Sequence, residues 1–403
     1  MDPAGTDLAA TALEGADPAG DLPGGARRPP TRPDLVEGDI RLRAHRVEDL
    51  PDLLAQCQDP IMQRWTSIPV PYTARHARAY LACLEPEWDA GRSYGFALER
   101  DGRYAGTLDL RPDGAAGAGV GFALAPWARG QGSMGAALRL ALPWGFEALD
   151  LDAVHWRAQV GNWASRRVAW SVGFRYDGAV RDLLPRGAGS GRAREPRRHD
   201  AWVATLRRGE PLEPEGRWLR APALSAPGVV LRPHDEKDVP RIVEACADEQ
   251  TQRWLPTLPS PYTERDAQEH LADIAEGHAA GRRLAWAVAD PVGGRLLAEV
   301  SVFGLGGGSR RGEVGYWAHP DARGRRVVTN AVRAAVGYAL TLRSAAGGLG
   351  LGLDAVLLRA AEGNAASVAV AGAAGFRLAG RDSRAERLRD GTVLDLLRYE
   401  RLA

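Results

Sequence analysis

Hydrophobic and polar positions alternate over residues 94–100, 103–110 and 118–124, the period of half-buried strands. Ahead of them a short strand is expected at 40–43. An amphipathic helix follows from Val47 to about Cys57, with Glu48 and Asp49 in its first turn. A loop holding Pro69 and Pro71 leads to a second helix around 74–89. Beyond the alternating segments, Pro126 to Gly132 reads as a loop and Ser133 to about Leu149 as a helix. A strand at 153–159, a helix from about 163 to 172 and two late segments near 174–181 and 200–206 complete the pattern. This order predicts the α+β class: one twisted mixed sheet with helices on both faces, closed by a hairpin.

The pattern then repeats. Leu42-Arg43-Ala44-His45 returns as Leu231-Arg232-Pro233-His234, and Gln63-Arg64-Trp65 as Gln252-Arg253-Trp254. Pro71-Tyr72-Thr73 returns as Pro261-Tyr262-Thr263, and Ala90-Gly91-Arg92 as Ala280-Gly281-Arg282. Gly161-Asn162-x-x-Ser165, ending in Gly173-Phe174, returns as Gly363-Asn364-x-x-Ser367, ending in Gly375-Phe376. A period this long marks duplicated domains rather than a solenoid. The expected organisation is a disordered Ala/Gly/Pro/Asp tail over 1–37, a domain over 38–208, a linker over 209–226 and a second domain over 227–403.

Composition narrows the function. A chain of 403 residues suits two domains that bury their own cores, and a net charge of +1 gives no global attraction for nucleic acid or anionic membrane. No run of about twenty apolar residues is present to span a bilayer and no secretory leader is legible, so a cytoplasmic protein is expected. Cys57, Cys83 and Cys246 are neither a disulfide framework nor a zinc set. Cys57 and Cys246 hold equivalent places in apolar helices and read as small core residues. His45 and His234 recur without Cys or carboxylates at metal spacing and read as structural. No metal is expected.

The candidate chemistry lies between the strand at 118–124 and the following helix. Arg129, Gly130, Gln131, Gly132 and Ser133 form a small-residue turn whose free amides open a helix, a place that favours an anion. The turn lacks the Gly-Lys-Ser/Thr of a Walker loop and does not match G-x-G-x-x-G. Ala128-Arg129-Gly130-Gln131-Gly132, Gly161-Asn162-Trp163-Ala164-Ser165 and Gly173-Phe174 stand in order behind Val120-Gly121-Phe122. Their counterparts are Glu313-Val314-Gly315-Tyr316-Trp317, Ala322-Arg323-Gly324-Arg325, Gly363-Asn364-Ala365-Ala366-Ser367 and Gly375-Phe376. In this set each copy resembles the GNAT superfamily of acyl-CoA-dependent N-acyltransferases, and within it the Rim-type branch that acetylates protein N-termini and small amines. The resemblance covers nearly everything after residue 38.

The resemblance implies an acetyl or other acyl group passed from acyl-CoA to a primary amine by direct attack in a ternary complex. It implies loop amides on the CoA pyrophosphate (Arg129 to Ser133; Arg323, Gly324 and Arg325) and a splayed strand pairing with pantetheine. A backbone amide around Phe122, Ala123 and Leu124, or Tyr316, Trp317 and Ala318, would polarise the thioester carbonyl. Asn162 and Asn364 would bind the pantetheine arm, and Ser165 and Ser367 would protonate the departing sulfur; from the residues alone, Asn-x-x-Ser also suits helix capping. Family members often carry a Glu base on the splayed strand. Glu313 fits, whereas the first copy has Gly119, with Asp109 and His155 as the nearby alternatives. The second copy departs from the loop pattern at Arg326 and Val328, where Gly and Gly/Ala are expected; the first departs only at Met134.

Three further features await the structure. Arg64-Trp65 and Arg253-Trp254 either border the acceptor or pack the Pro-rich loops down. The segment Arg181 to Asp200 holds Arg181, Arg186, Arg192, Arg194, Arg197 and Arg198, as a solvated hairpin loop or as a lid drawing acidic peptide or CoA phosphates. The two copies in one chain are compatible with a monomer that already contains its own pseudo-dimer. The acceptor is expected to be a small-molecule or peptide amine. The alternative function is a non-catalytic CoA-binding or scaffold protein built from two degenerate acyltransferase domains.

Overall fold

The computed structural model describes residues 30–185, 198–342 and 350–403. The expected disordered tail lies largely outside them, as do Arg186, Arg192, Arg194 and Arg197. The chain divides into two units, Met1–Glu215 and Gly216–Ala403.

The first unit runs β1 (Leu35–Glu37), β2 (Ile40–Arg43), α1 (Leu50–Gln58), α2 (Pro60–Trp65), α3 (Ala74–Asp89), β3 (Tyr94–Arg100), β4 (Arg103–Pro112) and β5 (Gly117–Leu124). It continues through α4 (Ser133–Ala148), β6 (Ala153–Gln159), α5 (Trp163–Ser171), β7 (Arg175–Pro185) and β8 (Arg198–Arg207). Its sheet has the order β1-β2-β3-β4-β5-β6-β8-β7. Every neighbouring pair is antiparallel except β5–β6, which is parallel. This is the mixed sheet the hydrophobic pattern predicts.

The second unit repeats it with β9 (Leu224–Ala226), β10 (Val229–Arg232), α6 (Val239–Ala247), α7 (Glu249–Trp254), α8 (Glu264–Ala279), β11 (Arg283–Ala289), β12 (Leu296–Phe303) and β13 (Arg311–Ala318). Then come α9 (Val327–Leu340), β14 (Ala355–Ala361), α10 (Ala365–Ala373), β15 (Arg377–Arg387) and β16 (Val393–Leu402). Its strands take the corresponding order, and β13–β14 is the parallel pair.

Side-chain alternation gives each sheet two buried faces. On one face of the first unit, Leu108, Leu110, Val120, Val154 and Trp156 meet Met134, Leu138 and Leu142 of α4. On the other, Ala97 and Tyr104 meet Leu53 and Cys57 of α1 and Tyr80 and Leu84 of α3. Cys57 and Cys246 are core residues, and burial pushes both thiols up to about 12.

The recurring Leu-Arg-x-His has a structural reason. Arg43 donates to both oxygens of Asp49 at 2.8 Å and to Glu99 at 2.6 Å, tying β2 to the turn that opens α1. Arg232 makes the same fork to Asp238, at 2.8 and 2.6 Å.

Three elements depart from the sequence pattern. Residues Leu35–Glu37, placed in the tail, form β1 on the sheet edge, with Leu35 against the core and Pro30 accepting from the Trp88 indole. The expected linker 209–226 already contains β9 and the core residues Leu219 and Ala221 of the second unit. The short helices α2 and α7 are too brief for a periodic signal; α2 starts at Asp59-Pro60, where Asp59 caps the Met62 amide at 3.0 Å.

Candidate active site

The parallel ladder between β5 and β6 stops early. It pairs Gly117 with Ala153 through Val120 with Trp156, although β5 continues to Leu124 and β6 to Gln159. Each strand stays with its antiparallel neighbour instead, β5 with β4 to Gly106–Leu124 and β6 with β8 to Gln159–Ala201. A fork opens between them. The second unit forks after Glu313–Leu357, with β13 running on to Ala318 and β14 to Ala361.

Alternation tells which amides face the fork. The Ala125 amide donates to Ala105 of β4 at 2.9 Å, so Ala123 also turns its N–H toward β4, while Phe122 and Leu124 turn theirs into the gap. His319 donates likewise to Leu297 at 2.9 Å, leaving Tyr316 and Ala318 facing the gap and Trp317 facing β12. Of the six residues the sequence marks on these strands, four therefore present backbone groups to the fork; Ala123 and Trp317 do not.

The loop behind β5 bends through left-handed Gly130 (φ 74°) and Gly132 (φ 78°) into the N-terminus of α4. A Cβ on either glycine would meet nothing within 4 Å, so the loop is open there. Gly132 stands at the N-cap with no side-chain cap, which leaves the first amides of a sixteen-residue helix available to an anion. In the second unit Gly324 (φ 72°) and Arg326 (φ 58°) follow the same course into α9. Arg326 thus keeps the backbone of a glycine at the cost of left-handed strain, about 1 kcal/mol.

The arginine that opens each loop is not aimed at an anion. Arg129 donates to Asp59 at 2.6 Å and to the Leu124 carbonyl at 3.1 Å. Arg323 donates to Asp248 at 2.7 Å, to Gln250 at 3.0 Å and to Thr251 at 2.9 Å. Both fasten the loop to the helix following α1 or α6. Gln131 turns its amide to the Trp127 carbonyl at 2.6 Å. The Ser133 hydroxyl is buried and receives Arg100 at 2.9 Å, leaving its backbone amide for any ligand. Arg325 is exposed and donates to the Asp321 carbonyl at 3.5 Å.

Asn162 and Asn364 are N-caps: their side-chain oxygens accept the amides of Ser165 and Ser367 at 3.2 and 3.1 Å. Capping holds each serine at the first turn of its helix, beside the fork. Ser165 Oγ accepts the Trp156 indole N–H at 3.0 Å. Ser367 Oγ lies 2.6 Å from the Tyr316 hydroxyl, whose pKa burial pushes up to about 12 against the lowering effect of that contact.

Candidate proton acceptors differ between units. Glu313 stands at the mouth of the second fork and is bound by Arg359 Nε at 2.8 Å. Its counterpart Gly119 has open space where a side chain would be. His155 Nδ1 lies 3.0 Å from Thr205 Oγ1, whose proton goes to Asp177 at 2.6 Å. Asp109 is buried, with Arg111 Nε 2.8 Å from its Oδ2. Burial raises its carboxyl above the ordinary range despite Arg111.

Several contacts around the site were not legible in the sequence. Trp65 packs on the turn before Asn162: a Cβ at Gly161 would sit 3.4 Å from its ring, and Trp254 stands 4.0 Å from the same point at Gly363. Arg64 and Arg253 lie over these tryptophans at 4.8 and 5.3 Å. The repeated Gln-Arg-Trp and Gly-Asn motifs are therefore one contact, a pairing that their joint recurrence could have suggested. Asp59 and Asp248 hold equivalent places in the two copies and answer Arg129 and Arg323. His234, read as structural for want of Cys or carboxylates at metal spacing, packs on a carboxylate: its Nε2 lies 3.2 Å from Glu299, which His270 meets at 2.7 Å and Arg283 at 2.9 Å. Burial alone would raise Glu299; His270 and His234 hold it well below the usual range.

Among the described residues, no group of three or more His, Cys, Asp or Glu is arranged to hold a metal, and no helix is long and apolar enough to cross a membrane.

The family model described as Acetyltransferase (GNAT) domain matches the chain twice, over residues 39–175 and 229–377. Among solved structures, Mycobacterium smegmatis RimJ in complex with CoA-disulfide is similar at 23% identity, covering 42% of this chain and 82% of that one, with a TM-score of 0.38. The ribosomal-protein-S5-alanine acetyltransferase of Vibrio fischeri is similar at 17% identity, covering 45% and 96%, with a TM-score of 0.39. A GNAT-family acetyltransferase of Bacillus anthracis is similar at 16% identity, covering 45% and 98%, with a TM-score of 0.38. Comparison with curated proteins finds no match.

Proposed function

From the premise that this chain belongs, in both halves, to the GNAT acetyltransferase family and is an acyl-CoA-dependent N-acyltransferase, we propose that each fork takes an acyl-CoA and that the first unit carries the turnover. The pyrophosphate sits on the amides of Gly130 to Ser133 at the α4 N-terminus. Pantetheine runs along the open edge of β5, and the Phe122 amide receives the thioester oxygen as charge develops on it. The acceptor is a primary amine, on a small molecule or a peptide, bound with acyl-CoA in a ternary complex. Its nitrogen attacks the carbonyl carbon, the carbon–sulfur bond breaks, and sulfur leaves with a proton. Ser165 suits that last transfer because its oxygen is already occupied by the Trp156 proton, leaving its own to give.

The observation that carries this reading is the fork itself, opening beside an uncapped helix end that two left-handed glycines keep clear. Glu313, committed to Arg359, favours a second unit that binds acyl-CoA more readily than it turns over.

Calorimetry with acetyl-CoA, on the full chain and on Gly132→Glu, tests the proposal. A site lost together with transfer to a panel of amines supports it. Transfer that survives with one site moves the chemistry to the second unit. Absence of binding and of transfer in the parent chain returns the protein to a scaffold role.

A further inference from the structure

The floor of the first fork has an unusual construction. Asp109 of β4 is paired across the sheet with Gly95 of β3 on one side and Gly121 of β5 on the other. Its carboxylate thus stands in a slot with no side chain on either flanking strand. Gly121 is the first residue of β5 beyond the last parallel pair, Val120–Trp156, and it directly precedes Phe122. The carboxylate leans over it: a Cβ on Gly121 would lie 2.6 Å from Asp109 Oδ1 and 2.6 Å from an Arg111 guanidinium nitrogen. The next row of this face, Arg111–Gly119–His155, again has a glycine at its centre. Asp109 is 4% exposed, and a buried carboxylate costs free energy unless it is paired and hydrogen-bonded.

The second unit is built differently on the same strand. Register sets Ser301 opposite Gly315 where Asp109 is opposite Gly121, and Glu299 opposite Trp317 where Thr107 is opposite Ala123. Each unit therefore carries one buried acid on this strand, one side-chain position apart. Glu299 is surrounded by His234, His270 and Arg283, which hold it as a fixed anion. Asp109 has Arg111 on its own strand and the uncharged Tyr80 of α3 above it.

We infer that Asp109 is the proton acceptor of the first unit, taking the proton of the incoming ammonium at the carboxylate oxygen that lies over Gly121. The inference rests on the acyltransfer reading of the fork. The amine arrives as R–NH3+ and gives one proton to Asp109 Oδ1. The freed nitrogen attacks the thioester carbon, and the carbon–sulfur bond breaks. The second nitrogen proton passes to sulfur by way of Ser165. Asp109 then releases its proton to solvent, so acyl-CoA and ammonium become amide, free thiol and one proton. Asp109 thus supplies, from the neighbouring strand, the carboxylate that β5 lacks at Gly119.

The test uses the full chain with Arg326→Glu to silence the second loop, read by acetyl-CoA calorimetry and by initial rates against pH. Asp109→Asn should keep the acetyl-CoA Kd, lower kcat about 100-fold or more and abolish the acid limb of the pH–rate profile. Gly121→Ala, which pushes the carboxylate aside without removing it, should lower kcat with the Kd retained. Should Asp109→Asn lose acetyl-CoA binding, Asp109→Ser, which installs the residue of the second unit, takes its place with the same expectation. A parent-like rate and acid limb in a variant that binds acetyl-CoA overturns the assignment, and loss of the limb in His155→Gln instead transfers the role to His155. Absence of acetyl-CoA binding and turnover in the parent would instead overturn the acyltransfer reading itself.

Discussion

Trp156 donates its indole N–H to Ser165 Oγ across 3.0 Å, from the strand that turns away at the fork. In the second unit the neighbour of the equivalent serine is a phenol from the other strand, Tyr316. The two serines are held by different scaffolding, which separates the serine's role from that of its support. Ser165→Ala should lower kcat by no more than about 100-fold, since a thiol of ordinary pKa about 8.5 departs without much assistance. Trp156→Phe should give a smaller loss with the same acetyl-CoA Kd. Steady-state kinetics in the Arg326→Glu background measure both; a Kd that moves with kcat would make the contact merely architectural.

Arg129 is a clamp, so its removal should behave like loosening rather than like loss of a phosphate contact. Arg129→Ala should weaken acetyl-CoA binding while leaving the salt dependence of the Kd nearly unchanged, because the guanidinium is directed at Asp59 and the Leu124 carbonyl rather than at a phosphate. Titrations at low and high ionic strength decide this. A flattened salt dependence would put the guanidinium on the ligand.

The strand pattern of 94–124 and of 153–159 is legible because these segments alternate, and their expected bounds differ from the observed ones by two residues at most. The clamp was not legible. Arg129 and Asp59 are 70 positions apart, and nothing in a local window links an arginine in a glycine turn to an N-cap aspartate. Asn162 was legible in both its readings, and the structure places it as a cap. The Glu299 cluster escaped because His234, His270, Arg283 and Glu299 come from four separate elements or their edges, each unremarked in its own stretch. The fork could not be read from the sequence without the resemblance, since it depends on where pairing stops rather than on which residues favour strands.

Glu299→Gln should destabilise the second unit by about 3 kcal/mol, because it strips the partner from His270 and Arg283 in a buried place. Hydrogen exchange on peptides spanning β12 should speed up, while peptides spanning β4 should not change. Unaltered exchange in β12 would show that the cluster is solvated in practice.

Both ring nitrogens of His45 are buried, and burial lowers its pKa from 6.5 to about 4. The unfolded chain takes up this proton near pH 6.5, whereas the folded unit resists until about 4. Stability is therefore complete above pH 6.5, declines as pH falls through this window, and loses roughly 3 kcal/mol from this group by its end. His45→Phe should flatten that part of the profile for the first unit. Denaturant midpoints taken from pH 7 to pH 4 measure it, and an equal slope in the variant would place the cause elsewhere.

Gly132→Arg should cost about 1 kcal/mol of stability, the ordinary penalty for a left-handed side chain, and leave the fold intact because the space beside it is open. Arg326→Gly should return a similar amount. Denaturation curves of the two exchanges, read unit by unit, check the symmetry.

Because Arg326 follows the same turn as Gly132, the loop's path and the side chain it shows to an anion are separable properties. The path belongs to the backbone and to the arginine–aspartate clamp behind it. The displayed residue is then a free letter, and a protein engineer could use it as a dial for donor preference, exchanging glycine, arginine or a neutral polar side chain at one position in either half without redrawing the domain.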